Sequence, residues 1–389
     1  MAERPDLAIA MFDFVPSGVV SNALRIAGAA HEAGLQTEIW TAQPAGGMAR
    51  EIPEGVKTRS LGVDLGGTYS LRDRKRALVR VSTPLAAMMD KVKPRILLSA
   101  GNHFHEPSVA ALAEVPHETA PRLIGRVSNA LPRFSWWPAK LPNSLIKRIN
   151  ARRRYQAMDR LIAVSAQVRR DLKSQLLLDP GKITVIPNGI DISEVERLGK
   201  KPLKHKWFEL GQPPVIVGAG RLTHQKGFDV LLRAFAIARA RRPMRLIILG
   251  QGPEQDRLQA MATQLGIASD VQLRGHVSNP MPYLRRAALF VLPSRWEGLS
   301  NALLEALASG TPVVATRCTG STDLLDEGRY GSLVNVGDAS ALAASIVEAL
   351  DKDQPREVQL QRAQDYELKR TLRSYVSLFQ KELALAGVP

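Results

Sequence analysis

Five short apolar runs in the second half of the chain, at 215–219, 244–249, 271–273, 288–292 and 313–316, alternate with segments of helical period near 229–241, 254–265, 281–286 and 301–309. Runs that are apolar at nearly every position need cover on both faces, and helices between successive strands supply it. The alternation predicts a parallel, doubly wound α/β sheet. In such a sheet ligands bind beyond the carboxyl ends of the strands, where helix starts point free N–H groups and the positive ends of their dipoles outward. Chemistry is therefore expected in the loops that follow these strands.

After the run 288–292 comes Pro293-Ser294-Arg295-Trp296-Glu297-Gly298-Leu299-Ser300-Asn301, then an Ala/Leu-rich segment that holds Glu305 and stops at Gly310 and Pro312. Ser300 reads as a helix N-cap and Gly310 with Pro312 as the stop. Glu297 and Glu305 thus flank an anion pocket, where a carboxylate is unfavourable unless hydroxyls donate to it. A ligand carrying both phosphates and vicinal hydroxyls, a nucleotide sugar, meets both demands; the plainer alternative is a loop and helix with two solvated glutamates. After the run 215–219 comes Gly220-Arg221-Leu222-Thr223-His224-Gln225-Lys226-Gly227. There Arg221 offers a planar fork, and Lys226 a compact charge, to phosphate oxygens. Arg274-Gly275-His276-Val277 follows the run 271–273 in the same way.

Taken whole, Glu297-Gly298-Leu299-Ser300-Asn301 and the continuation Glu305-Ala306-Leu307-Ala308-Ser309-Gly310-Thr311-Pro312-Val313-Val314-Ala315 resemble the Glu-x7-Glu signature of the family-four retaining glycosyltransferases of the GT-B fold. The Gly-Arg-Leu-x-x-x-Lys-Gly pattern at 220–227 resembles that family's grip on the donor diphosphate, and Asn188-Gly189-Ile190-Asp191 the string that ends its N-terminal domain. The resemblance implies two Rossmann-like domains facing a cleft, with a last helix packed back on the first. It divides the chain into an acceptor-side domain at 1–195, a nucleotide-sugar domain at 196–364 and a returning helix at 365–389. It implies that Arg221, Lys226 and the helix start at Leu299, Ser300 and Asn301 hold the diphosphate. Glu305 would accept from the ribose, Gly275 would lie against the nucleobase, and Glu297 would accept from the transferred sugar. Neither metal nor cofactor is implied, and Glu297 takes no covalent role.

The first half reads less directly. A strand at 6–12 runs into a turn with Gly18 and a helix at 23–33. Gly18 there either serves the turn alone or lets the backbone approach the donor diphosphate, as the resemblance implies. A strand at 95–99 ends at Gly101-Asn102-His103-Phe104-His105-Glu106, where a histidine either bonds to backbone or, as the resemblance implies of His103 or His105, supports the sugar or the departing charge. The stretch 131–155 sets Trp136 and Trp137 among basic residues that include Arg152 and Arg153, with no acidic residue at all. That composition suits a segment lying in the headgroups of an anionic bilayer, against the alternative of buried tryptophans and solvated arginines. A polar connector at 193–214 reads as the interdomain linker.

A net charge of +16 asks for an anionic partner. Nucleic acid is the rival to membrane and substrate, but no reading module and no repeated aromatic stacking positions support it. The single cysteine, Cys318, excludes an internal disulfide and fits a reducing compartment. Gly250-Gln251-Gly252-Pro253 lacks the third glycine of a dinucleotide fingerprint. The charged start of the chain fits neither a signal peptide nor a spanning helix, so a cytoplasmic protein, peripheral on the inner face of the membrane, is expected. The function expected is sugar transfer from a nucleotide donor, a UDP-sugar, to a glycan or lipid-linked acceptor of cell-surface polysaccharide or lipopolysaccharide. A nucleotide-sugar epimerase or hydrolase of like architecture, a non-catalytic nucleic-acid binder and a catalytically inert sugar-nucleotide sensor are the alternatives.

Overall fold

The computed structural model describes residues 4–63, 71–131, 141–352 and 354–386, and leaves the side chains of 71–79 and 141–144 outside that description. The chain divides into two compact units, one of Met1–Pro187 with Arg370–Pro389 and one of Asn188–Lys369.

In the first unit β1 (Leu7–Met11), β2 (Thr37–Thr41), β3 (Lys57–Ser60), β4 (Ile96–Ser99), β5 (Arg122–Val127), β6 (Arg160–Ala163) and β7 (Ile183–Val185) form one sheet in the order β3-β2-β1-β4-β5-β6-β7. Every pairing is parallel. The crossovers carry α1 (Gly18–Glu32), α2 (Leu71–Val92), α3 (His105–Leu112), α4 (Leu141–Gln156) and α5 (Ala166–Leu176). β1 is buried at all five positions, as a strand covered on both faces must be. Leu24, Ile26 and Ala27 of α1 join Ile9, Ile96, Leu98 and Ile124 of the sheet in one core.

In the second unit α6 (Ile192–Gly199) precedes β8 (Val215–Ala219), β9 (Arg245–Leu249), β10 (Val271–Leu273), β11 (Leu289–Leu292), β12 (Val313–Thr316) and β13 (Ser332–Val334). Their order, β10-β9-β8-β11-β12-β13, again all parallel, reverses direction between β8 and β11. The accompanying helices are α7 (Phe228–Arg239), α8 (Gln255–Gln264), α9 (Met281–Arg286), α10 (Asn301–Ala308), α11 (Thr319–Leu324), α12 (Ala339–Asp351) and α13 (Arg356–Gln364).

The last helix, α14 (Leu368–Ala386), returns to the first unit, where Tyr375, Leu378, Phe379 and Leu383 enter its core. A buried carboxylate holds it there. Glu382, fully buried, accepts from Arg122 at 2.6 and 2.9 Å and from Arg160 at 2.8 Å, one arginine from β5 and one from β6. Two parallel α/β units with this returning helix make the GT-B fold.

Two local expectations change. The helix after β1 begins at Gly18, five residues before the expected start at 23, because Ser17 caps it by accepting from the amide of Val20 at 3.3 Å. The stretch 193–214 is largely not a free linker: Asp191 caps α6 by accepting from Glu194 N at 2.9 Å, and α6 buries Val195 and Gly199 within the second unit. Residues 188–195, assigned above to the first domain, group with the second. Among the described residues no helix is long and apolar enough to cross a membrane.

Candidate active site

The reversal of strand order opens a crevice between the loops that follow β8 and β11. Those loops are locked to each other. Gly227 has φ +66°, and a Cβ there would lie 2.1 Å from the carbonyl oxygen of Pro293, so only glycine lets the backbones come so close. Arg295 N donates to Gln225 O at 2.7 Å, and the side-chain amide of Gln225 donates to Trp296 O at 2.9 Å. Asp229, at the start of α7, receives both arms of the Arg295 guanidinium at 2.8 Å, while Arg295 also donates to His224 O at 2.8 Å. Burial alone would raise the Asp229 carboxyl. Arg295 and Arg233 outweigh it and hold the carboxyl at about 2.

Inside this clamp Lys226 Nζ meets Glu297 Oε1 at 2.6 Å, and Ser294 Oγ donates to the same oxygen at 2.7 Å. Glu297 is 5% exposed and Ser294 fully buried, whereas Arg221 at the mouth of the loop is exposed. Ser300 caps α10 by accepting from Leu303 N at 3.3 Å. The chain entering that helix is held by Asn188, whose amide donates to Leu299 O at 3.2 Å and to Asn301 Oδ1 at 2.7 Å. Glu305 lies half-buried in the next turn of α10. Gly275, at φ +71°, accepts from Gly250 N at 2.7 Å, and Gly250 packs so tightly that a Cβ would lie 1.9 Å from Gly220 O. The loops after β8, β9 and β10 thus form one cluster with the loop after β11. A further close approach, a Gly320 Cβ position 2.4 Å from Gly298 O, brings the start of α11 to Glu297. Burial pushes the Cys318 thiol up there, and the Glu297 charge adds to that push.

The first unit separates its candidates. His103 is exposed, but His105 is completely buried, its Nδ1 2.8 Å from Ser99 Oγ and its ring edge-on to Tyr155. Burial, reinforced by the charges of His103 and Arg154, lowers its pKa to about 3. It is a neutral core residue, and its place in the expected catalytic set is withdrawn. Gly18 is exposed as the first residue of α1, with its carbonyl accepting from Asn22 at 2.7 Å, so a helical rather than a turn conformation explains it. Arg152 and Arg153 are exposed near the end of α4. Trp136 and Trp137 lie outside the described residues.

Two family models match, Glycosyltransferase Family 4 over residues 16–194 and Glycosyl transferases group 1 over residues 213–352. Both matched families are glycosyltransferases, and the chain has the GT-B fold. Among curated relatives, the lipopolysaccharide core biosynthesis glycosyltransferase LpsE of Rhizobium meliloti is 39% identical over 34% of this chain and 38% of its own. The N-acetylgalactosamine-N,N'-diacetylbacillosaminyl-diphospho-undecaprenol 4-alpha-N-acetylgalactosaminyltransferase of Campylobacter jejuni is 30% identical over 55% of this chain and 57% of its own. This chain thus spans about half the length, or less, of these relatives. A solved structure of Anabaena HepE in complex with UDP and glucose superposes with a TM-score of 0.73 at 17% identity, over 97% of this chain and 99% of that one.

Sequence reasoning picked out Lys226 and Glu297, and the structure brings them into contact. It missed Ser294, Asn188 and the Asp229–Arg295 pair. Ser294 and Asn188 stood inside strings already singled out, and their polarity beside apolar strands was the available signal. The Asp229–Arg295 pairing spans 66 residues and had none.

Proposed function

We propose that this glycosyltransferase moves a sugar, with retention of anomeric configuration, from a UDP-sugar to a glycan or lipid-linked acceptor in the synthesis of a cell-surface polysaccharide or lipopolysaccharide. The observation that carries the reading is the buried Glu297 carboxylate held by Lys226 and Ser294 beside the capped start of α10, with exposed Arg221 on the same loop as Lys226. A buried carboxylate held against a partly buried cation is costly to desolvate, and a ligand that uses both groups would account for it. A nucleotide sugar does: its diphosphate draws Lys226 and Arg221, and its sugar hydroxyls donate to the carboxylate that Lys226 then shares.

In the transfer the bond from the anomeric carbon to the β-phosphate oxygen breaks, and the acceptor oxygen bonds to that carbon from the same face. The acceptor proton passes to the departing phosphate oxygen, so the nucleoside diphosphate leaves with its negative charge facing Arg221, Lys226 and the α10 dipole. Glu305 accepts from the ribose, Gly275 lies against the base, and exposed His103 supports the sugar. Because two cations and a helix start supply the charge stabilisation, no metal is required, and chelation should leave turnover unchanged. The HepE complex with UDP and glucose supports the donor, and the diphospho-undecaprenol and lipopolysaccharide relatives support a lipid-linked or lipopolysaccharide acceptor.

A thermal-shift screen against UDP, GDP, ADP, CMP, dTDP and NAD tests the pocket, since a ligand of the native state raises Tm. UDP should raise it selectively, and Lys226→Ala should remove the shift. Glu297→Gln and Lys226→Ala should each abolish transfer to a lipid-linked acceptor while leaving the fold intact. No shift with any nucleoside diphosphate, or a shift with NAD alone, refutes the reading; turnover of UDP-sugar without an acceptor replaces it with the hydrolase or epimerase.

A further inference from the structure

The first residue of the second unit reaches the start of helix α10, 113 residues further along the chain. Asn188, 7% exposed, turns one side-chain atom, Nδ2, to two oxygens: the backbone carbonyl of Leu299 at 3.2 Å and Oδ1 of Asn301 at 2.7 Å. A backbone carbonyl can only accept, so the Asn188 atom beside Leu299 O must be the nitrogen and not the oxygen. That nitrogen can only donate, so the Asn301 atom beside it must in turn be the oxygen. The orientation of both amides is therefore fixed from the main chain outward. With Oδ1 held by Asn188, Asn301 has its amide nitrogen to offer elsewhere, and among the described residues that nitrogen donates to nothing. Asn301 is half-buried and is the first residue of α10, in the turn whose free N–H groups and dipole end favour an anion. The hydroxyl of Ser300, the residue before it, is already engaged by Leu303 N at 3.3 Å.

We infer that Asn188 is a positioning residue that sets the polarity of the donor site: it turns the Asn301 amide so that N–H groups, and not a carbonyl oxygen, face the diphosphate. The inference rests on the transfer reading and names what orients its anion site. An asparagine free to turn over at a helix start presents Oδ1 as readily as Nδ2, and an oxygen set against a phosphate oxygen repels it. Turned by Asn188, the same side chain adds a charge-assisted donor beside the backbone amides of the first turn. The tie from Asn188 to Leu299 O keeps this orientation in place before any ligand arrives.

The test is a double-mutant cycle on UDP affinity, read by isothermal titration, with the melting temperature of each ligand-free variant measured beside it. Asn301→Ala removes the donor and should weaken UDP binding about tenfold or more. Asn188→Ala lets the Asn301 amide turn and should weaken binding about fivefold, but in the Asn301→Ala background it should add less than about twofold. Asn301→Asp is nearly isosteric. One of its oxygens still accepts from Asn188 while the other replaces the donor, so UDP affinity should fall about a hundredfold with the melting temperature kept, an acid being favourable in the first turn of a helix. Equal losses from Asn188→Ala with and without Asn301 would show a tie on Leu299 alone and overturn the inference, as would UDP affinity unchanged by Asn301→Asp. Wild type that fails to bind UDP takes the transfer reading and this inference away together, whereas UDP binding with an additive cycle removes the inference alone.

Discussion

The Asp229–Arg295 pair makes a quantitative claim on the stability of the second unit. Its carboxylate is 6% exposed, forms a two-armed bond with Arg295 at 2.8 Å and is held at a pKa of about 2, below the ordinary aspartate value of 3.8. A lowered folded-state pKa means that the native state favours the ionised form. Its stabilising contribution is complete above the unfolded value and is lost as pH falls through the folded one. The difference corresponds to about 2 kcal/mol, present at neutral pH and lost between about pH 4 and 2. Asp229→Asn keeps the shape and removes the titration. In denaturant melts of wild type and variant, followed at intervals from pH 7 to pH 2, the variant should be less stable by about 2 kcal/mol at pH 7. The gap should narrow steadily below pH 4. A gap that does not change with pH would show that the loss comes from shape or hydrogen bonding and not from the charged pair, and no gap at pH 7 would refute the clamp altogether. The same variant should transfer sugar more slowly, because the clamp fixes the distance between the loop of Lys226 and the loop of Glu297.

Two further perturbations follow from single contacts. Glu382→Ala leaves Arg122 and Arg160 without their buried partner and should cost about 3–5 kcal/mol, read as a lowered denaturant midpoint, with the loss concentrated in the unit that α14 returns to. Gly227→Ala places a methyl group 2.1 Å from Pro293 O at φ +66° and should destabilise by more than about 2 kcal/mol and remove nucleotide binding, whereas Gly266→Ala, at a similar φ of +70° with open space around it, should cost about 1 kcal/mol and leave binding intact.

The second unit was legible because its signals are local. Five of its six strands are short apolar runs, β13 at the edge being the one the pattern missed, and the chain order alone places Lys226 after β8 and Glu297 after β11. What remained hidden was that β8 and β11 are neighbours in the sheet, which turns two separate loops into one crevice. The clamp residues were illegible for the same reason: Asp229 looks like an ordinary first-turn helix acid, and Arg295 like an ordinary loop cation, until the sheet order brings them together.

The first unit resisted because its informative residues are resolved only by burial. His103 and His105 are two positions apart at the end of β4 and share one sequence context. A turn of 3-10 helix over Asn102–Phe104 leads into α3, leaving one ring exposed and sending the other under Tyr155. No pattern of polarity distinguishes them, since both flank Phe104, the residue that fills the core. Gly18 misled for a related reason. A glycine after a strand suggests a turn, but Ser17 before it accepts from Val20 N and starts the helix at once, so capping outweighed the conformational freedom of the glycine. The burial of Glu382 was equally unreadable, because a glutamate in an amphipathic last helix looks solvated. Only the arrival of Arg122 and Arg160 from two adjacent strands makes it a buried tie between the last helix and the first unit.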